Sequence, residues 1–508
     1  MYQRIKLYLA APALCILVLA AGCKKGTFDI NSPNPNRPSQ VSSQFLLSAA
    51  LGASANSSFN AGFTDFADLF MGYWAFSGDY GGYGTTATYN LNNGYGAANW
   101  DYVYNTCLVN YQYIIKNSQD PKEANYLGIA EIMEAFHYQR LVDIYNNVPY
   151  SQALQGGTLN YPKYDDAATV YTSIVHKIDS GIAAIKAAPG DADNPGNYDI
   201  MFGGDMTNWI LFGNTVKLKI LLNLTAWSGG GTLISSELSG MTADDFLPAG
   251  TDAAVNPGYS NSSQSQQTPI WQNVGFTTGN GHYQDHDLYR ACSYAVNFYQ
   301  NHNDPRADRF YALNNNGIVK GRAFGSQDGS EHNTVISAVG PGILQSYSMS
   351  AYILPAFESL FLQAEALQRG YIGAGSTITD AQTAYKTAVE ESFRIMFQGT
   401  STDYMAAADT YIGQNDAKTN WAVAPDPITL IITQEWAALN VFDPITSWNN
   451  WKRLGIPNDL PTSIYPGTVA AHPPIRLIYP TDEYTTNSAN ANAEGTIDVI
   501  NSKIFWMP

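Results

Sequence analysis

The sequence predicts a mainly α-helical protein whose helices pair side by side and carry large, irregular, loop-rich insertions. Three observations predict this class. Apolar residues recur at three- and four-residue steps through several long segments. Several of those segments open on Asp or Pro and close on Asn, Gly or Pro. Three further stretches, rich in Gly, Asn, Ser and Thr, follow no such period.

Taken in order, Pro121-Lys122-Glu123 opens a helix in which Ala130, Met133, His137, Leu141 and Ile144 form one stripe. Ile129, Ile132 and Phe136 widen that stripe, so the helix is expected to pack on more than one side. Asn146-Asn147-Val148-Pro149 ends it, because proline cannot continue a helix. Asp165-Asp166 caps a second amphipathic run through Val170, Ile174, Ile178 and Ile182, which stops near Pro189-Gly190. Further helices are predicted over Asn208 to Trp227, Pro355 to Arg369 with Gly370 closing it, Thr379 to Phe397, and Pro427 to Phe442. Stacked antiparallel pairs are the economical arrangement, although no clean repeat period is present. Gly72 to Asn99, Ser228 to Gly342 and Gly455 to the C-terminus are the non-helical stretches. The middle one is too long for a structureless loop, so it is expected to hold short strands and irregular structure of its own.

The N-terminus carries a targeting pattern. Met1 to Lys6 holds two positive charges, Leu7 to Ala20 is apolar apart from Pro12, and Ala20-Ala21-Gly22 lead into Cys23. Residues 1–22 therefore read as a lipoprotein signal peptide, with Cys23 as the lipidated residue after cleavage. The leucine expected three positions before the cysteine is displaced to Leu19. Lys24 to Gln40 holds three prolines among polar residues, so residues 23–40 read as an extended tether. Residues 41–508 read as a single body, because no Pro/Ser linker or charge run divides them.

Composition narrows the partners. Asp+Glu number 43 against 26 Lys+Arg, a formal net charge of −17, which repels nucleic acid, anionic lipid and polyanionic substrates at long range. Neutral or cationic ligands suit such a surface. With 34 Tyr and 10 Trp against only 14% charged residues, many rings are expected in the core, and others are available to stack on sugar faces. Of the four cysteines, Cys107 and Cys292 fall in the body and read as two buried thiols.

Several separate motifs resemble one family. Phe28-Asp29-Ile30-Asn31-Ser32-Pro33-Asn34 is similar to the D-x-N…P-N opening of mature SusD/RagB nutrient-binding outer-membrane lipoproteins. Leu141-Val142-Asp143-Ile144-Tyr145-Asn146-Asn147-Val148-Pro149-Tyr150 resembles the family's L-V-D-x-Y-G-D-V-P-Y segment, with two asparagines replacing Gly and Asp. Trp209 with Asn214 and Lys217-Leu218-Lys219, Ala364-Glu365-Ala366, Trp448 to Pro457, and Arg476 to Pro480 follow in the family's order. The closing Lys503-Ile504-Phe505-Trp506 lacks the aspartate that often follows. The resemblance implies tetratricopeptide-like helix pairs with a loop-rich face. It also implies an outward-facing lipid anchor on the outer membrane and a SusC-like TonB-dependent transporter as partner. The implied function is capture of oligosaccharides or, in some members, peptides, without catalysis and without a cofactor. The shared motifs are scaffold in that family, so Trp209, Trp448 and Trp451 are expected to pack rather than bind.

No reacting constellation competes with this reading. Glu358 and Glu365 stand seven apart on one helical face, roughly 10 Å, which is longer than a retaining glycosidase pair and outside the inverting range as well. Arg369 offers Glu365 a helical ion pair. In His282-Tyr283-Gln284-Asp285-His286-Asp287, Tyr283 stands where a zinc peptidase has its glutamate and the approach is Gly-rich, so a loop without metal is expected. Asp29 and Asn31 faintly match a calcium loop, but the glycine is missing and position twelve is Gln40. A surface glycosidase or peptidase of unrecognised type and a purely structural surface protein are the competing classes.

Binding is expected in the loops. Between Met71 and Gly84, rings alternate with glycine, and four glycines from Gly72 to Gly82 would each cost a helix about 1 kcal/mol. Tyr73, Trp74, Tyr80 and Tyr83 are the expected ligand contacts, with Trp271 and Tyr283 from the second long stretch. Docking of Tyr73 and Trp74 onto the scaffold is the alternative for those two.

Overall fold

The computed structural model describes residues 41–508. The leader, Cys23, the tether and the Asp29 segment lie outside the described residues. The body begins with α1 (Ser43–Ser58) and α2 (Ala61–Phe70), followed by strand β1 (Trp74–Phe76). Then come α3 (Val109–Asn117), α4 (Ala124–Tyr145), α5 (Ala167–Lys186) and α6 (Met206–Asn223). The predicted boundaries hold closely. Asp166 caps α5 by accepting from Thr169 N, and Asp205 caps α6 by accepting from Thr207 N and Asn208 N.

Three contacts fix the direction of the α4/α5 pair. Gly128 meets Gly181 backbone to backbone, with no room for a Cβ on either. Glu134 pairs with Lys177 at 2.8 Å, and Asp143 accepts from Tyr171. Numbers rise on one helix as they fall on the other, so the pair is antiparallel. Gly213 against Ile182, Lys217 with Asp179 at 2.7 Å, and Asn223 with Tyr171 at 3.1 Å place α6 antiparallel to α5 in turn. These are the tetratricopeptide-like pairs.

The Ser228 to Gly342 stretch holds strand β2 (Ala253–Val255), α7 (Gln284–Leu288), β3 (Tyr289–Ala291) and α8 (Ser293–Asn301). It is therefore richer in helix than expected, and also contains the helix Gly230–Glu237. After it follow β4 (Ala351–Leu354), α9 (Ala356–Gln368), α10 (Ala381–Met396), α11 (Tyr404–Ile412), α12 (Pro427–Leu439) and α13 (Pro444–Leu454). Two short antiparallel ladders, β1 with β3 and β2 with β4, are the named sheets among the described residues.

The scaffold motifs meet in a buried polar hub. Asp143 on α4 accepts from Gln139 at 2.6 Å, Asn223 at 3.2 Å, Asn449 at 2.7 Å and Trp506 Nε1 at 3.0 Å. Lys452 donates to the Asp143 carbonyl at 2.7 Å and lies 3.6 Å over the Trp448 ring. Glu365 takes Arg453 in a two-pronged pair at 2.6 and 2.5 Å as well as Arg369 at 2.8 Å. Lys219 joins Glu358 and Asp443, each at 2.7 Å. Both glutamates on α9 are thus buried and committed to cations from other helices. Cys107 and Cys292 are buried free thiols. No described helix is long and apolar enough to cross a membrane.

Candidate functional site

The β1/β3 ladder brings two distant loops together. Trp74 opposes Ala291 and Phe76 opposes Tyr289, and beyond the strand Ser77 N donates to Leu288 O at 2.8 Å. The chain then turns through Gly78, whose missing Cβ would stand 2.5 Å from the Glu331 carbonyl. Only glycine lets these two backbones approach so closely. Ser77 Oγ donates to Asn333 Oδ1 at 2.5 Å, and Asp79 accepts from Asn333 N at 2.8 Å and contacts His332 at 2.5 Å. Those donors hold the Asp79 carboxyl below its ordinary pKa.

Past this anchor lies a small cleft of ≈ 70 Å³. Tyr80 and Tyr83 line it from the first stretch, Gly325, Ser326 and Gln327 from the second, and Tyr465 from the third. All three loop-rich stretches contribute. Phe76 supports the floor by stacking on Tyr83 with ring centroids 4.3 Å apart and planes 18° from parallel. Gly84 lies against the Tyr465 ring, and Ile464 N donates to Phe324 O at 3.0 Å, which ties the third stretch to the second. Partial burial, with the nearby Asp285 and Tyr80, raises the Tyr83 pKa. Its hydroxyl stays protonated at neutral pH and can donate. The cleft is too small to enclose a long ligand, so it presents ring faces and hydroxyl groups at the surface.

The expected contact residues divide into three groups. Tyr80 and Tyr83 are half-buried at the cleft. Tyr73 and Trp74 are in the core, at 0% and 1% exposure, which corrects their expected place among the contacts. The Tyr73 hydroxyl donates to Trp436 O at 2.6 Å and pairs with Ser447 Oγ at 2.6 Å, while its ring stacks on Trp436. Trp74 packs on Tyr289 at 5.0 Å. Both side chains fasten the loop to the scaffold, and neither has a face to offer.

Trp271 and Tyr283 form a separate cluster and do not line the cleft. Trp271 Nε1 donates to Phe276 O at 2.9 Å, Gln267 donates to the same carbonyl at 3.1 Å, and Tyr283 donates to Gln267 Oε1 at 2.9 Å. Tyr465 was not anticipated from sequence. Its setting, Ile464-Tyr465-Pro466-Gly467, repeats the ring-beside-glycine signature of the first loop and could have marked it.

Comparison with known proteins agrees with this architecture. Residues 35–480 match a SusD-like family described as starch-binding and associating with the outer membrane. No curated protein matches the chain. Among solved structures, a chitin-binding SusD homologue from Flavobacterium johnsoniae has a TM-score of 0.70 at 20% identity, covering 91% of this chain and 97% of its own. A SusD homologue from Bacteroides uniformis gives 0.72 at 19%, covering 92% and 100%. A SusD/RagB family protein from Bacteroides thetaiotaomicron gives 0.72 at 20%, covering 92% and 99%. At these identities the structures establish a shared fold. The family match covers most of the chain, so this protein belongs to the SusD/RagB family of outer-membrane-associated nutrient-binding proteins.

Proposed function

We propose that this protein is a surface-exposed outer-membrane lipoprotein that captures neutral oligosaccharides and hands them to a SusC-like TonB-dependent transporter, without catalysis. One observation carries the ligand class. Tyr80, Tyr83 and Tyr465 converge on one cleft beside hydroxyl and amide groups of Ser326 and Gln327. Flat rings receive the C–H face of a sugar while neighbouring polar groups bond its hydroxyls. A net charge of −17 favours an uncharged ligand over a polyanion. The acid–base pair that a glycosidase needs is not supplied by Glu358 and Glu365, which are locked in buried ion pairs.

A chitin-binding SusD homologue shares the fold, so chitin-type oligosaccharides are the first ligands to test. Isothermal titration against a panel of neutral glycans and peptides, with product analysis in the same tubes, tests the reading. Binding of a glycan without product formation supports it. Binding of peptides alone identifies a peptide-capturing member, and product release identifies an enzyme. For the partner, gentle detergent extraction and pull-down should recover a TonB-dependent transporter in near-stoichiometric amount. Recovery of this protein alone, under conditions that preserve other such pairs, would count against delivery to a transporter.

A further inference from the structure

The cluster next to the cleft has a chemistry that sugar capture does not use. His282 precedes α7, while His286 and Asp287 lie on it. One donor atom from each of these three residues falls within 4.8 Å of the others, the one such group of three among the described residues. Ligands around a tetrahedral ion with bonds of about 2.0–2.1 Å stand roughly 3.4 Å apart, so small side-chain rotations suffice. His282 Nδ1 is already 2.9 Å from Asp287 Oδ1, and the two imidazole centroids are 4.1 Å apart.

The tautomer of the buried histidine is settled by its partner. His286 Nδ1 faces the Val274 carbonyl at 2.6 Å, and a carbonyl can only accept, so Nδ1 carries the proton and Nε2 keeps its lone pair. Metal-ligating histidines are oriented by this kind of bond to a carbonyl. Phe276 packs against both imidazoles, 5.3 Å from His282 and 4.9 Å from His286, and a β-bridge joins Phe276 to His282. Arg290 approaches Asp287 Oδ1 at 3.4 Å, but it also donates to the carbonyls of His286 and Tyr289. Those carbonyls would keep Arg290 in place if Asp287 turned its carboxylate toward a cation.

We infer that His282, His286 and Asp287 form a binding site for one zinc-class dication, which clasps the 276–282 loop to α7. Two imidazole nitrogens and one carboxylate suit a borderline metal, whereas calcium and magnesium take oxygen ligands. Three protein donors leave a fourth position for water or an exogenous ligand. This revises the expectation of no metal. Tyr283 in place of a glutamate removes the general base that a zinc peptidase needs, but the base is not a ligand.

The test uses the full mature chain, untagged and stripped with chelator, titrated with zinc and separately with calcium. Wild type is compared with His282→Ala and Asp287→Asn. The expected result is one zinc equivalent, at least tenfold weaker in each variant, no calcium binding, and a thermal midpoint that zinc raises in wild type but not in His282→Ala. Because His282 is exposed, that variant should unfold at the wild-type temperature without zinc. No zinc binding by wild type, equal affinity in the variants, or equal response to calcium would overturn the assignment.

Discussion

Trp506 Nε1 donates to Asp143 Oδ1 at 3.0 Å, so a residue near the end of the chain completes the hydrogen bonding of a carboxylate in the last turn of α4. The indole is fully buried and also packs beside the Lys452 ammonium, 5.0 Å from the ring centroid. Trp506→Ala would open a cavity and remove one donor from Asp143. A loss of about 3–5 kcal/mol is expected, read as a lower denaturation midpoint in urea. Trp506→Phe should recover part of that loss by filling the space without restoring the donor.

Acid should act through His137. Burial, with the adjacent Arg140 charge, pushes its pKa down to about 3 from an ordinary 6.5. Its Nε2 contacts Ser54 Oγ at 2.7 Å, and Ser54 in turn contacts the Tyr111 hydroxyl. Below the unfolded value the unfolded chain binds the extra proton, so stability is complete above about 6.5 and falls with pH toward about 3. This one group contributes a slope of up to about 1.4 kcal/mol per pH unit. Urea titrations from pH 7 to pH 4 should show a shallower decline in His137→Gln than in wild type.

Cleft and scaffold tyrosines should separate cleanly. Tyr83→Ala is expected to weaken binding of an identified glycan by about 2 kcal/mol, roughly 30-fold, with little change in thermal midpoint. Tyr80→Ala and Tyr465→Ala should act in the same direction. Tyr73→Phe should leave affinity unchanged and cost about 1–2 kcal/mol of stability, since it removes a buried hydroxyl from Trp436 O and Ser447. Titration and melting of the same preparations check both halves. Wild-type affinity in folded Tyr83→Ala and Tyr465→Ala would refute the cleft assignment.

The lipid anchor is tested at Cys23. Cys23→Ser should abolish acylation and release a folded protein from the membrane fraction. Protease shaving of intact cells should digest the wild-type protein if it faces outward. Continued membrane attachment of the unacylated variant, in cells lacking the transporter, would defeat the anchor.

Helices with sharp caps and wide apolar stripes were legible in the sequence, as α5 with Asp166 illustrates. α1 was not. Its run of Ala, Ser, Gly and Leu gives almost no amphipathic contrast, and its helicity comes from close packing with α3, β4 and α4. At the site, glycine between aromatic residues marked the loop that carries Tyr80 and Tyr83 to the cleft. The burial of Tyr73 and Trp74 depended on pairing with β3, far along the chain, which no local pattern reveals. Tyr465 carries the same ring-beside-glycine signature as the first loop, but its place at the cleft is set by the long-range bond from Ile464 to Phe324.

The backbone bonds from Ser77 to Leu288 and from Ile464 to Phe324, with Gly78 wedged against Glu331, hold the rings of the cleft in position before any ligand arrives. Most aromatic loops lose conformational entropy when they close on a ligand, and that loss is subtracted from affinity. Here the ordering is completed when the protein folds. Under the proposed function, a ligand would therefore meet a preorganised surface, and its capture would be governed by encounter and desolvation rather than by rearrangement of the loops.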